Sequence, residues 1–148
     1  MIVEDIKYML LRDLHTLYQE ISLCVESELW ITKGDIKNPI GTLGLHIAGN
    51  LRHYIGMGIG HTGYIRNRPF EFADRSATRQ QILDGLAAAK ADVIAAMDTL
   101  TDSDLTKPYP DLYPWSDRTI GHVLLLLITH LSYHLGQVNY LRRGMLEL

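Results

Sequence analysis

Cys24 is the only cysteine in the chain, so no intrachain disulfide can hold the fold together. The longest apolar run, Val123 to Ile128, falls far short of the ~20 residues needed to span a bilayer. Lysine and arginine total 14 against 17 aspartates and glutamates, a net charge of −3. With no basic surplus to neutralise phosphates, nucleic acid is not an expected partner. The opening segment, Met1 to Lys7, contains Glu4 and Asp5 and does not resemble the cationic lead-in of a secretion signal. No stretch alternates apolar and polar residues in the manner of a strand, and no repeat, low-complexity tract or domain boundary interrupts the chain. The expectation is one all-α domain over residues 1–148, soluble and cytoplasmic, with no membrane contact.

Apolar residues make up 47% of the chain, enough for a core, and they recur at helical spacing in four places. The first is Val3 to Ser27, where Ile6, Met9, Leu10, Leu14, Leu17, Ile21 and Val25 form a row. The second starts at Asn38-Pro39, a cap followed by proline at the first helical position, and carries Ile40, Leu43, Ile47, Leu51 and Ile55 before fading in Gly56-Met57-Gly58-Ile59-Gly60. In the third, Thr78 to Leu100, Thr78 and Gln81 read as a capping box, and Ile82, Leu86, Val93, Met97 and Leu100 supply the core face. The fourth runs from Asp117 to Arg143 with Ser116 as its cap. Between the third and fourth, Pro108, Pro110 and Pro114 exclude a helix. The pattern predicts a four-helix bundle. The connections after the second and third helices are long enough, at up to about 50 Å extended, to cross a helix about 30 Å long.

Histidine is the unusual component: His15, His46, His53, His61, His122, His130 and His134. His130 and His134, four apart on a helix, share a face and can grip one ion. Such a spacing arises by chance roughly 0.3 times in a chain of this composition, so their position matters more. In heptads with Ile120, Leu127 and Leu141 at a, His134 also falls at a and His130 at d, while Leu124, Leu131 and Val138 fill e. This is the face that a bundle helix buries. His122 falls at c, off the stripe, and reads as rim. Buried imidazoles need a hydrogen bond or a metal, and core histidines paired to a carbonyl or tyrosine are the plainer alternative. A third ligand must come from another helix. His46 and His53 both flank the apolar row of the second helix, and periodicity neither separates them nor excludes His15.

Three segments carry a family resemblance. They are Leu43-Gly44-Leu45-His46-Ile47-Ala48-Gly49-Asn50-Leu51-Arg52, Arg66-Asn67-Arg68-Pro69-Phe70-Glu71-Phe72, and Thr129-His130-Leu131-Ser132-Tyr133-His134-Leu135-Gly136-Gln137-Val138. With the helix order, the chain resembles the DinB/YfiT-like family of metal-dependent enzymes over nearly its whole length. The resemblance implies an up-down-down-up four-helix bundle. It also implies a divalent metal on His46, His130 and His134, frequent homodimers, and, in some members, group transfer to low-molecular-weight thiols.

Three imidazoles suit a divalent transition metal, zinc or nickel first and iron next, over magnesium or calcium. They leave a coordination position at which a bound water or thiol is acidified. The expected reaction is nucleophilic transfer or hydrolysis on a small molecule, thiol S-transfer being one form. Asn50, Tyr133 and Gln137 are the pocket candidates. No carboxylate is inward by periodicity. Glu71 falls on a loop from which it can reach into the site, with pairing to Arg66 or Arg68 as its expected fate. Tyr109, Tyr113 and Trp115 either wall a pocket mouth or belong to a tethered crossover. Cys24 reads as packing. Because no general base is evident, the alternative is a non-catalytic dimeric helical module that binds a metal or ligand.

Overall fold

The computed structural model describes residues 1–110 and 114–145, with the side chain of Met145 outside that description. Among the described residues there are five α-helices: α1 (Ile2–Ser22), α2 (Ile40–Leu51), α3 (Arg68–Ala73), α4 (Arg79–Met97) and α5 (Ile120–Met145). No strand occurs among the described residues, only an isolated bridge between Pro108 and Thr119. None of these helices is long and apolar enough to cross a membrane.

Helix α1 buries Ile6, Leu10, Leu14, Leu17 and Ile21 of the expected row, and Val3 ahead of them. It stops at Ser22, short of the expected Ser27, and leaves Met9 and Val25 37% and 49% exposed. The cause is tertiary. The Glu26 carboxylate accepts the Arg79 backbone N–H at 3.0 Å from both oxygens, and the Arg79 guanidinium donates to the Cys24 carbonyl at 2.7 Å. The chain therefore leaves the helix to cap the start of α4, an acidic group sitting favourably at a helix N-terminus.

Helix α4 begins as expected. The Thr78 hydroxyl accepts from Gln81 N, and Gln81 Oε1 accepts from Thr78 N, closing the capping box. Helix α2 starts one residue later than the sequence suggested, with Pro39 at the cap position in extended backbone. All of its residues except Leu45 are buried. Its far end does not fade in the glycines but widens into a π-helical turn, Arg52–Met57, closed by Gly58 N to His53 O at 3.0 Å and Gly60 N to Ile55 O at 2.9 Å. The start of α5 is also corrected: Thr119, not Ser116, accepts from His122 N.

The long helices pack so that α1 and α2 each touch both α4 and α5. Lys7 of α1 pairs with Asp98 just past α4. At the other end of α1, Glu20 accepts from Asn139 and Arg142 of α5. Gly44 of α2 lies against Ile82 of α4, and Gly56 against Asp92, so these two helices run side by side in one direction. An added Cβ at Gly44 would sit 2.6 Å from the Ile82 methyl, so glycine sets how closely they approach. The crossover before α5 is tethered: Tyr109 is buried, and its hydroxyl donates to the Tyr54 carbonyl at 2.6 Å.

Candidate metal centre

Helix α2 presents His46 from its buried face, and α5 presents His130 and His134 one turn apart. The Nε2 atoms of His46 and His134 each lie 3.1 Å from Nε2 of His130. Two nitrogens bound to one zinc at about 2.0–2.1 Å, 90–109° apart, are separated by about 2.9–3.4 Å, so the observed spacing suits a shared ion. The rings stand edge-to-face, with centroids 4.5–5.1 Å apart, which aims the nitrogens at a common point.

Protonation follows from the outer nitrogens. His46 Nδ1 donates to Glu71 Oε1 at 3.0 Å, and His134 Nδ1 donates to Gln137 Oε1 at 2.6 Å. Both rings therefore turn a lone pair inward at Nε2. A proton on His130 Nε2 could satisfy only one of its two 3.1 Å neighbours, whereas a cation satisfies all three. The residues present fit a divalent transition metal.

Burial, reinforced by the neighbouring His134 and His46 and by Arg66 and Arg68, lowers the His130 pKa to about 4. Burial also lowers that of His134, partly opposed by the bond to Gln137. Both rings are neutral at pH 7, the form that ligates metal.

Glu71 does reach into the site, one of the two fates its sequence position left open. It lies not on a loop but on α3, whose cap Asn67 accepts from Phe70 N at 3.2 Å. The side chain is buried, and Arg66 grips it with two bonds of 2.8 Å from Nε and Nη2. Its expected pairing with Arg66 exists and coexists with the bond to His46. Arg66 Nη2 also lies 3.3 Å from His46 Nδ1, but the acceptor-only carboxylate takes the ring proton. Burial alone would raise the Glu71 carboxyl; the bonds from Arg66 and His46 outweigh it and hold it below the ordinary range. Phe72, next on α3, packs on the His46 ring at 4.9 Å between centroids.

Gly49 makes this possible. A Cβ there would sit 2.0 Å from Glu71 Oε2, so only glycine lets the carboxylate lie against α2 beneath His46. The legible signal was Asn67-Arg68-Pro69, a cap-and-proline start like that of the second helix.

A cavity of about 830 Å³ opens beside the histidines. Asn50 and Tyr133 line it, together with Arg68, Trp115 and Leu126. Gln137 does not; it holds His134 from behind. His53 lines the cavity but stays outside the cluster, its ring against Tyr54. His15, His61 and His122 are exposed, and none belongs to the cluster. Tyr109 tethers the crossover and Trp115 borders the cavity, so both readings of that segment hold; Tyr113 lies outside the described residues.

The sequence profile of the DinB superfamily matches residues 12–138. The chain belongs to the DinB superfamily. The span shared with the superfamily contains His46, His130 and His134 as well as the Arg66–Glu71 clamp. No curated protein and no solved structure gives a significant match to this DinB-superfamily chain.

Proposed function

We propose that this DinB-superfamily chain is a metal-dependent enzyme that binds a divalent transition metal, zinc or nickel first and iron next, on His46, His130 and His134. Its reaction is nucleophilic transfer or hydrolysis on a small molecule, with S-transfer to a low-molecular-weight thiol as one form. The observation that carries the reading is the convergence of three Nε2 atoms, two of them with lone pairs turned inward by Glu71 and Gln137. When bound, the metal supplies Lewis acidity at an open coordination position.

The chain supplies the remainder. Glu71, locked by Arg66, fixes the His46 tautomer and ring angle, and Gln137 does the same for His134. Asn50 and Tyr133 face the space beside the centre, where substrate binds. We read the winding of α1, α2, α4 and α5 as an up-down-down-up four-helix bundle, supported by the side-by-side course of α2 and α4 and by the contact of Lys7 with Asp98.

Metal analysis of the purified chain tests the centre. About one equivalent per chain is expected, lost in His134→Ala; no bound metal, or unchanged content in the variant, overturns it.

A second reading is a non-catalytic, dimeric metal- or ligand-binding module. It draws on the full engagement of both Glu71 oxygens, which leaves that carboxylate unable to act as a general base. Reproducible metal-dependent turnover in a screen of thiols with electrophiles removes this reading.

A further inference from the structure

The cavity wall has a definite chemical bias. Among the described residues lining it there are two arginines and no aspartate or glutamate. Arg66 is committed to Glu71. Arg68 lies over the Phe72 ring at 4.9 Å and has no acidic partner among the described residues. Trp115 Nε1, which can only donate, is buried with no acceptor among the described residues. Asn50 is 93% buried and lines the same cavity, and its Oδ1 has no donor among the described residues. Buried polar atoms are ordinarily paired, so the indole N–H and the Asn50 carbonyl describe a missing counterpart, and Arg68, an exposed side chain on the cavity wall, adds an uncommitted cation. That counterpart carries an anion for Arg68, an acceptor for the indole N–H and a donor for the Asn50 carbonyl. Leu126, Pro114 and Tyr133 add apolar wall to the same cavity.

We propose that the cavity takes a small organic carboxylate with a flat apolar body and an adjacent N–H or O–H. Its carboxylate is held by Arg68 with Trp115 as a further donor, and its donor group is held by Asn50. The planar fork of arginine matches a carboxylate, and a single uncommitted cation suits a monoanion better than a phosphate dianion. Asn50 stands one turn from His46 on α2, so the donor end of the ligand lies toward the histidines. That this end is the reacting one rests on the metal-dependent reading above.

The test uses N-benzoylglycine as probe, with N-benzoylglycinamide to remove the charge and N-benzoyl-N-methylglycine to remove the donor. Titrations are made on the full chain, both zinc-loaded and chelator-treated. The acid is expected to bind about tenfold more tightly than the amide, the increment of a charge-assisted bond. In Arg68→Met that preference disappears while metal content and melting temperature stay at wild-type values. Trp115→Phe weakens the acid, and the N-methyl compound binds less tightly than the parent.

Three results overturn the proposal: no saturable binding of the acid at millimolar concentration, equal affinity for acid and amide, or a preference that survives Arg68→Met. A preference seen only with zinc and intact in Arg68→Met places the carboxylate on the metal and also overturns it. If the chain binds no metal yet the Arg68-dependent preference persists, the metal-dependent reading fails and the carboxylate site stands.

Discussion

Replacing Gly49 by alanine adds one methyl group, and its consequences can be worked through from the contacts it meets. The new Cβ would lie 2.0 Å from Glu71 Oε2 and 2.7 Å from its Cδ. Carbon and oxygen ordinarily approach to roughly 3.3 Å, so the carboxylate must retreat by more than about 1 Å. It cannot do so freely, because Arg66 holds both oxygens and His46 holds one. Overpacking costs about 1–3 kcal/mol. Disturbing a buried ion pair adds part of the ~3–5 kcal/mol that follows loss of one partner. Alanine returns about 1 kcal/mol through helix propensity. The net expectation is about 2–4 kcal/mol of destabilisation, seen as a fall in melting temperature of roughly 5–15 °C. Metal affinity should fall about 10–100-fold as His46 loses its orienting bond. Chemical and thermal melts with zinc titration measure both quantities. Gly136→Ala on α5 serves as a control, because its Cβ meets nothing within 4 Å; that variant should gain up to about 1 kcal/mol. Repeating Gly49→Ala in a Glu71→Ala background removes the obstructing atoms, and the penalty should then vanish. A penalty of the same size in both backgrounds would refute the reasoning.

The low pKa of His130, about 4 against an ordinary 6.5, means the unfolded chain takes up a proton that the folded chain refuses between those values. Stability of the chelated protein should therefore be complete above pH 6.5 and fall as pH drops toward 4, with His134 acting in the same direction; a flat urea midpoint across that window would contradict this. Burial raises the Cys24 thiol to about 11, so a thiol reagent at neutral pH should leave the native chain unlabelled and react fully only after unfolding; rapid native labelling would show the site to be open. Tyr109→Phe removes the bond to the Tyr54 carbonyl and should cost about 1–2 kcal/mol without altering metal stoichiometry; an unchanged melting temperature would mean that the tether contributes nothing.

Local pattern carried the helical architecture. The 3.6-residue period marks a buried stripe without reference to what covers it, so most of the cores of α1, α4 and α5 was readable, with Met9 and Val25 of the first row left exposed. The Thr78–Gln81 box was legible because both partners lie within one turn. The inward pair His130/His134 followed from the same stripe. Periodicity stalled at the third histidine because His46 and His53 lie seven apart on one flank. What separates them is contact: His46 meets Glu71 and His130, while His53 packs on Tyr54.

Amphipathic spacing by itself therefore determined that this chain is helical and which face of its last helix carries imidazoles. Tertiary structure alone decided that Glu71, 25 residues from His46, is buried against Gly49 and clamped by Arg66. It likewise decided that α1 ends at Ser22 so that Glu26 can cap α4. The reason is the same in each case: whether a charged side chain is buried depends on the room and the partners that distant segments provide, and neither quantity repeats along the chain in a way that a period can reveal.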